Sequence, residues 1–257
     1  MRSFDLVTIT FNSEKHLQRC FESVRRSRQY FTNYIVIDGG SSDSTVNIIK
    51  EYSDIITDYI SEPDFGISDA FNKGISKCSS DFILLLNSDD WIVGDHIFDV
   101  FNLISISDEL ICTNMFSYSG IDYIGEFRSN PSYINKFNSI LHPGCIVSAS
   151  TYNKVGLYDL SLKVAMDYDF FSRCSNSGVK FKIVNLPLVA FQEGGTSRIR
   201  KYQILKESFY VRRKYHGAYF PLHELKQMIS RVLGDFLNFF GLKYYIIKIL
   251  NKFGFKK

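Results

Sequence analysis

The sequence is poor in the features that mark several large protein classes. It has five cysteines, an odd number, and no two of them stand in C-x-x-C spacing. That argues against a zinc framework or a disulfide scaffold, so Cys20, Cys78, Cys112, Cys145 and Cys174 read as reduced thiols of a cytosolic compartment. No apolar run is long enough to span a bilayer. The opening Met1-Arg2-Ser3-Phe4-Asp5 enters a short apolar strand without the core or cleavage region of a signal peptide. There is no internal repeat, no low-complexity linker and no G-x-G-x-x-G dinucleotide fingerprint. A recognised nucleic-acid-reading motif is also missing, which leaves nucleic acid off the list of partners.

What is present is an ordinary folded composition, 45% hydrophobic and 22% charged, which excludes a disordered or fibrous chain. The 257 residues suffice for one sizeable α/β domain with an appendage. Phe and Tyr supply most of the aromatic content, suited to cores and equally to stacking on bases and sugars. The net charge of +3 hides an asymmetry: residues 198–257 hold 14 Lys/Arg against 3 Asp/Glu, or +11, and the remainder carries −8. A basic tail on an acidic body points to an anionic partner for the tail, or to a solvated helical surface.

The first half alternates strand and helix patterns. Strands are expected at Phe4–Thr10, Tyr34–Asp38, Ile55–Ser61 and Phe82–Leu86. Helices are expected at Glu14–Ser27 with Ser13 as N-cap, at Ser44–Tyr52 and at Ile67–Cys78. This order predicts an open, mixed but mainly parallel sheet with helices on both faces. Later, Leu110–Met115 and Cys145–Ser148 read as strands, and Asp167–Asn176, 202–216 and 224–253 as helices, with Pro221 as a separator.

Three segments carry chemistry. Leu84-Leu85-Leu86-Asn87-Ser88-Asp89-Asp90-Trp91 puts two carboxylates where a buried parallel strand ends, the edge at which open α/β sheets bind ligands. Adjacent carboxylates repel, and Mg2+ or Mn2+ relieves that cost while suiting phosphate oxygens. Asn87 and Asp89 share a face if the strand runs that far. The other reading is a polar turn with Asp89 or Asp90 capping the next helix. In the second segment Asp38 closes a strand and Gly39-Gly40 lets the backbone approach a ligand. Asp38 there accepts hydrogen bonds from a base or ribose, or belongs to an ordinary βα turn. In the third, Ser61-Glu62-Pro63-Asp64-Phe65-Gly66-Ile67 leads into a helix with polar groups at 69, 72, 73 and 76 on one face. Lys73 is a partner for a diphosphate, or part of a solvated face.

Together with Thr10-Phe11-Asn12, these segments resemble family 2 of the nucleotide-sugar glycosyltransferases, which have the Rossmann-like GT-A fold. The family's T-[YF]-N strand end, D-x-G-S-x-D turn, E-P-D-x-G-I-x-D-A-x-N-K-G block and D-x-D-type strand end occur in that order over roughly residues 1–200. Gly39-Gly40 and Asn87, where many members have an acid, depart from the pattern. The E-P-D-x-G-I block is most similar to bacterial enzymes that build O-antigen, the lipopolysaccharide side chain, and other surface polysaccharides. The resemblance implies a UDP-sugar donor bound by Thr10, Phe11, Asn12, Asp38, Asp69, Lys73, Asn87, Ser88 and Asp89. It implies a divalent cation, Mn2+ or Mg2+, on Asp89, with Asp90 as the close alternative. It further implies an inverting transfer of a hexose.

In Val164-Ala165-Met166-Asp167-Tyr168-Asp169-Phe170-Phe171-Ser172-Arg173 the family commonly has E-D-x-D/E-L-x-x-R, whose second acid is the general base. That acid corresponds to Asp167, and Met166 replaces the Glu. The rival reading makes Asp167 a helix N-cap and Arg173 an ion-pair partner. Asp169, Arg173, His142 and Arg198 are expected near acceptor or phosphate, with a structural loop histidine as the alternative for His142. Phe191–Ser197 lies where relatives place a mobile lid.

Residues 1–220 thus read as a catalytic domain, with about 1–100 holding the donor and about 101–220 the acceptor, and 221–257 as a basic amphipathic helical tail. Leu225, Met228, Ile229, Val232, Leu233, Phe236, Leu237 and Phe240 make one apolar face. With the lysines beyond, that suits a helix lying on an anionic membrane surface, or one packed on protein. The family context favours a lipid-linked, polyprenyl diphosphate saccharide as acceptor, at the inner face of the cytoplasmic membrane. Two rivals stand beside this reading. A sugar nucleotidyltransferase usually has a basic, Gly-rich loop after its first strand, which Thr10–Glu14 is not. A non-catalytic protein that binds saccharide or lipid carrier draws support from the acids lost at Asn87 and Met166. Oligomeric state is not legible.

Overall fold

The computed structural model describes residues 2–194 and 201–217. Among the described residues nine strands form one sheet, in the order β3-β2-β1-β4-β8-β6-β9-β5 with β7 paired to β6. They are β1 (Phe4–Thr10), β2 (Asn33–Asp38), β3 (Asp58–Ser61), β4 (Phe82–Asn87), β5 (Trp91–Ile92), β6 (Leu110–Ser119), β7 (Asp122–Phe127), β8 (Cys145–Ser148) and β9 (Phe181–Gln192). β1 to β4 run parallel, and two antiparallel steps across β8 bring β6 and β9 back to the same direction. Only β8, β7 and β5 run opposite, so the sheet is mixed and mainly parallel.

Helices cover both faces, which is why the parallel strands read as unbroken apolar runs. On one face Val7, Ile9, Ile35 and Ile37 meet Phe71 of α3 (Ile67–Lys77) and Phe170 and Phe171 of α6 (Met166–Asn176). On the other, Leu6, Val36, Leu84 and Leu86 meet Leu17, Phe21 and Val24 of α1 (Leu17–Ser27) and Val100 of α4 (Ile97–Leu103). Each such side chain, removed from water, contributes about 1.5–3 kcal/mol. α2 (Thr45–Glu51), α5 (Ala149–Val155) and α7 (Lys201–His216) complete the layers. All five cysteines are free thiols.

α3 lies so close to the sheet that a Cβ on Gly74 would fall 2.3 Å from Val7 Cγ1. Val7 is β-branched and cannot swing away. Gly74→Ala is therefore expected to cost about 1–3 kcal/mol, seen as a lower urea midpoint; an unmoved midpoint would mean α3 lifts off β1 freely.

Several local expectations change. α1 begins at Leu17, and Ser13 does not cap it with its side chain; the Ser13 carbonyl takes the His16 and Leu17 N–H groups at 3.0 Å each. β4 stops at Asn87 and a turn follows, with Asp90 N–H on the Asn87 carbonyl at 3.1 Å, so Asn87 and Asp89 do not share a strand face. β9, absent from the sequence reading, contains Pro187, a residue that normally speaks against a strand. It is tolerated because the β6–β9 register shifts beside it, around Asn114. No helix among the described residues is long and apolar enough to cross a membrane. The tail 221–257, Pro221 and Arg198 lie outside the described residues, as does the lid segment from Gly195.

Candidate active site

The parallel strands end side by side, with Thr10 opposite Asp38, Asp38 opposite Ser61, and Ile9 opposite Asn87. Asp38 is fully buried and accepts from Gly40 N (3.2 Å), Ser41 N (3.0 Å), Ser61 Oγ (2.7 Å) and Ser41 Oγ. It shapes the turn after β2, and only its Oδ1 keeps acceptor capacity. Thr10 Oγ1 is buried with no partner in the described structure. An unpaired buried hydroxyl costs about 1–3 kcal/mol, which a ligand's polar group would remove. Phe11 is 61% exposed beside it, an open aromatic face. Asn12 adopts φ 47°, a left-handed conformation asparagine tolerates. Its N–H donates to Ser41 Oγ at 2.8 Å and its Oδ1 accepts Ser42 N–H at 2.9 Å, stitching the β1 and β2 turns together.

The loop before α3 closes over this edge. Asp64 Oδ2 sits 2.5 Å from where a Cβ on Gly39 would be, so that glycine is what lets the loop down. Asp69 accepts the Phe65 N–H at 3.1 Å and lies 3.5 Å from Lys73. Lys73 pairs with Glu62 at 2.8 Å, a bond that raises its pKa. Glu62 is half exposed, and such a pair is worth about 0–1 kcal/mol, so Lys73 can exchange it for a phosphate.

At the end of β4 the structure gives Asp89 and Asp90, read from sequence as the metal acid and its close alternative, different surroundings. Asp90 is fully buried; its Oδ2 accepts Asn87 Nδ2 at 3.0 Å and its Oδ1 accepts Gln192 N–H at 2.9 Å. Burial, then the charge of Asp89, push its carboxyl well above the usual range. Asp90 braces the turn against β9, and Asn87 spends its amide on that brace. Asp89 is partly exposed and no side chain among the described residues donates to its carboxylate, while burial raises its pKa. Ser88 is buried with its Oγ 2.7 Å from Ser13 Oγ. Among the described residues no group of three or more His, Cys, Asp or Glu is placed to hold a metal. One free carboxylate on a ligand-binding edge fits a divalent cation whose remaining oxygens come from a diphosphate.

Asp167 stands in the first turn of α6, not at its N-cap, which is Ala165. Asn138 Nδ2 donates to its Oδ2 at 2.9 Å, and burial raises its pKa. Asp169 and Arg173 are brought together, but away from Asp167. Two residues along a helix is more than half a turn, and Asp169 is buried toward α7, with Arg173 Nε at 2.8 Å and Tyr215 Oη at 3.0 Å. Arg173 also donates to the carbonyls of Val155, Gly156 and Leu157. His142 Nε2 is 3.0 Å from Tyr158 Oη, and burial lowers its pKa to about 4. Burial there favours the uncharged imidazole.

Three contributors, Arg19, Asn138 and Glu207, had no sequence signal, and a fourth, Gln192, was read with Phe191 as part of a lid but ends β9. Arg19 donates to the Asp89 carbonyl (2.9 Å) and Gln192 Oε1 (3.1 Å), and stacks over Trp91 at 3.8 Å. Gln192 and Asn138 hold Asp90 and Asp167, and Glu207 reaches the entry of α6. Each arrives from a remote stretch of chain, so no local spacing announces it.

Comparison with known proteins bears on the family and the fold. The model of glycosyl transferase family 2 matches residues 5–158. An uncharacterized glycosyltransferase of Mycobacterium tuberculosis is 32% identical over 179 residues, covering 66% of this chain and 68% of its own. A PGL/p-HBAD biosynthesis glycosyltransferase of Mycobacterium bovis is 22% identical over 210 residues, 75% of this chain and 77% of its own. Among solved structures, S. aureus TarS in complex with UDP-GlcNAc superposes with a TM-score of 0.66 at 16% identity, covering 92% of this chain and 73% of that one. Against a longer TarS chain the TM-score is 0.65 at 18% identity, and the present chain spans 43% of it. The mannosyltransferase PcManGT of Pyrobaculum calidifontis, in complex with GDP-Man and Mn2+, gives 0.62 at 11% identity, covering 81% and 63%. With the family model spanning more than half of its length and the mixed sheet matching the GT-A fold, this chain belongs to glycosyl transferase family 2.

Proposed function

We propose that this glycosyltransferase moves a hexose from a UDP-sugar to a lipid-linked saccharide on polyprenyl diphosphate, with inversion, in the synthesis of O-antigen or a related surface polysaccharide. The observation that carries the donor half is the free, partly buried Asp89 carboxylate at the end of β4. At the end of the neighbouring strand β1 lie the orphaned Thr10 hydroxyl and the open Phe11 ring. Structural neighbours solved with UDP-GlcNAc or with GDP-Man and Mn2+ support the same reading.

In this reading Phe11 stacks on uracil, and Thr10 and the remaining Oδ1 site of Asp38 meet uracil and ribose. Asp69 and Lys73 line the diphosphate, with Asn87 and Ser88 shaping the turn beneath it. Asp89, with diphosphate oxygens, would hold Mn2+ or Mg2+, whose charge offsets that of the departing UDP. Asp167, its carboxyl raised by burial and oriented by Asn138, takes the acceptor hydroxyl's proton as oxygen attacks C1. A single displacement from the face opposite the leaving group inverts the anomeric centre. Asp169 and Arg173 are left out of acceptor binding here, because their polar groups are engaged in holding α6.

UDP binding by calorimetry tests the donor half: affinity is expected to rise by about 10-fold or more with Mn2+ over chelator, and no binding under either condition would sink it. We take residues 1–220 as catalytic and 221–257 as a tail that holds the enzyme on the inner face of the cytoplasmic membrane. The +11 charge of residues 198–257 motivates that assignment. Removing 221–257 should release the protein from sedimenting anionic vesicles; undiminished partition would count against a membrane role.

A further inference from the structure

The aim of Asp167 depends on how residues 162–165 enter α6, and those residues are held from two sides. From the donor block, Ser68 Oγ donates to the Leu162 carbonyl at 3.1 Å and Lys163 Nζ to the Phe65 carbonyl at 2.7 Å. From α7, the Glu207 carboxylate, 8% exposed, accepts three consecutive backbone N–H groups. These are Lys163 at 3.1 Å to either oxygen, Val164 at 2.8 Å and Ala165 at 2.9 Å. Gln203 Nε2 donates to Glu207 Oε1 at 2.7 Å.

Ala165, the N-cap of α6, has no side chain able to cap it. Glu207, from another helix, accepts the N–H of Ala165 and of the two residues before it in charge-assisted bonds, so it holds the segment that leads into the helix. Burial alone would raise its carboxyl, but the backbone bonds outweigh burial and hold it below its ordinary value. It is therefore a fixed anion at working pH. A single side chain thus ties α7 to the backbone that links the donor loop to the base.

We infer that Glu207 is the positioning residue for the base: by clamping residues 163–165 it sets Asp167 in line with a donor held by the Ser61–Lys73 block. The inference rests on the reading of Asp167 as base. A carboxylate on three successive N–H groups fixes both the translation and the rotation of the turn behind Asp167. Positioning errors near 1 Å cost far more in rate than in fold.

The test measures UDP released from UDP-GlcNAc and other UDP-hexoses in Mn2+, with water as acceptor, on the full chain. Glu207→Gln, which keeps the shape but loses the charge, is expected to lower kcat by about 10–100-fold, with donor KM and UDP affinity unchanged. Gln203→Ala, which only unsteadies the clamp, should show the same split to a smaller degree and serves if the first variant folds poorly. If Glu207 acts through Asp167, adding Glu207→Gln to Asp167→Asn should slow residual turnover no further. Unchanged kcat in folded Glu207→Gln, beside an inactive Asp167→Asn, would overturn the positioning role alone. So would a further loss in the double variant, or kcat and KM shifting together as the fold loosens. Retained turnover in Asp167→Asn would remove the base, and Glu207's role with it.

Discussion

Asparagine in place of Asp167 is expected to cut transfer by about 100- to 10,000-fold while UDP binding stays as it was. The substitution keeps the shape of the side chain and removes only its ability to take a proton. The proposed donor site draws on the ends of β1, β2 and β4 and on the block that enters α3, not on α6, so it should not notice the change. A pH profile sharpens the test. Burial raises the Asp167 carboxyl, and the protonated form cannot act as a base. Turnover should therefore rise with pH through that raised value, with an acid limb above the ordinary aspartate range near about 3.9. A profile flat from pH 4 upward, or full turnover in the variant, would take Asp167 out of the role.

The second large effect is at Asp89. Asp89→Ala should abolish the gain in UDP affinity conferred by Mn2+, a loss of about 10-fold or more, and leave metal-independent UDP binding in place. Asp90→Ala should behave differently. It strips the acceptor from the buried Gln192 N–H and from Asn87, so it should appear first as about 1–3 kcal/mol of lost stability. Both carboxyls are raised by burial, and Asp90 also by its neighbour's charge. A cation must displace protons from such a pair, so Mn2+-dependent affinity should climb as pH rises. Equal losses in the two variants, with equal stability, would mean that both acids hold the metal.

Much of this architecture was legible because its causes are local. Phe4–Thr10 and Cys145–Ser148 appear as strands with the bounds read from sequence, and α3 and α6 shift by a residue. Strands covered on both faces are apolar throughout, and that pattern needs no partner to be recognised. β9 was hidden because Pro187 speaks against a strand when seen alone; the irregular pairing at Asn114 that accommodates it is a property of two strands together. Ser13 looked like a cap because a polar residue before an apolar period usually is one, but its hydroxyl was taken by Ser88.

The sequence by itself determined the βα order, the family, and which few residue types meet at the carboxyl edge of the sheet. Hydrophobic period, turn chemistry and short motifs are written in consecutive residues. Only the tertiary structure decided which of two adjacent acids is free, that Asp169 turns toward α7 and Arg173 toward the end of α5, and that Glu207 holds the entry to α6. Those outcomes hang on hydrogen bonds between residues 102 apart for Asp90 and Gln192, and 42 apart for Glu207 and Ala165. A carboxylate's role is set by whichever donors come within about 3 Å of it, and over such separations it is the packing of the sheet and helices that brings them there.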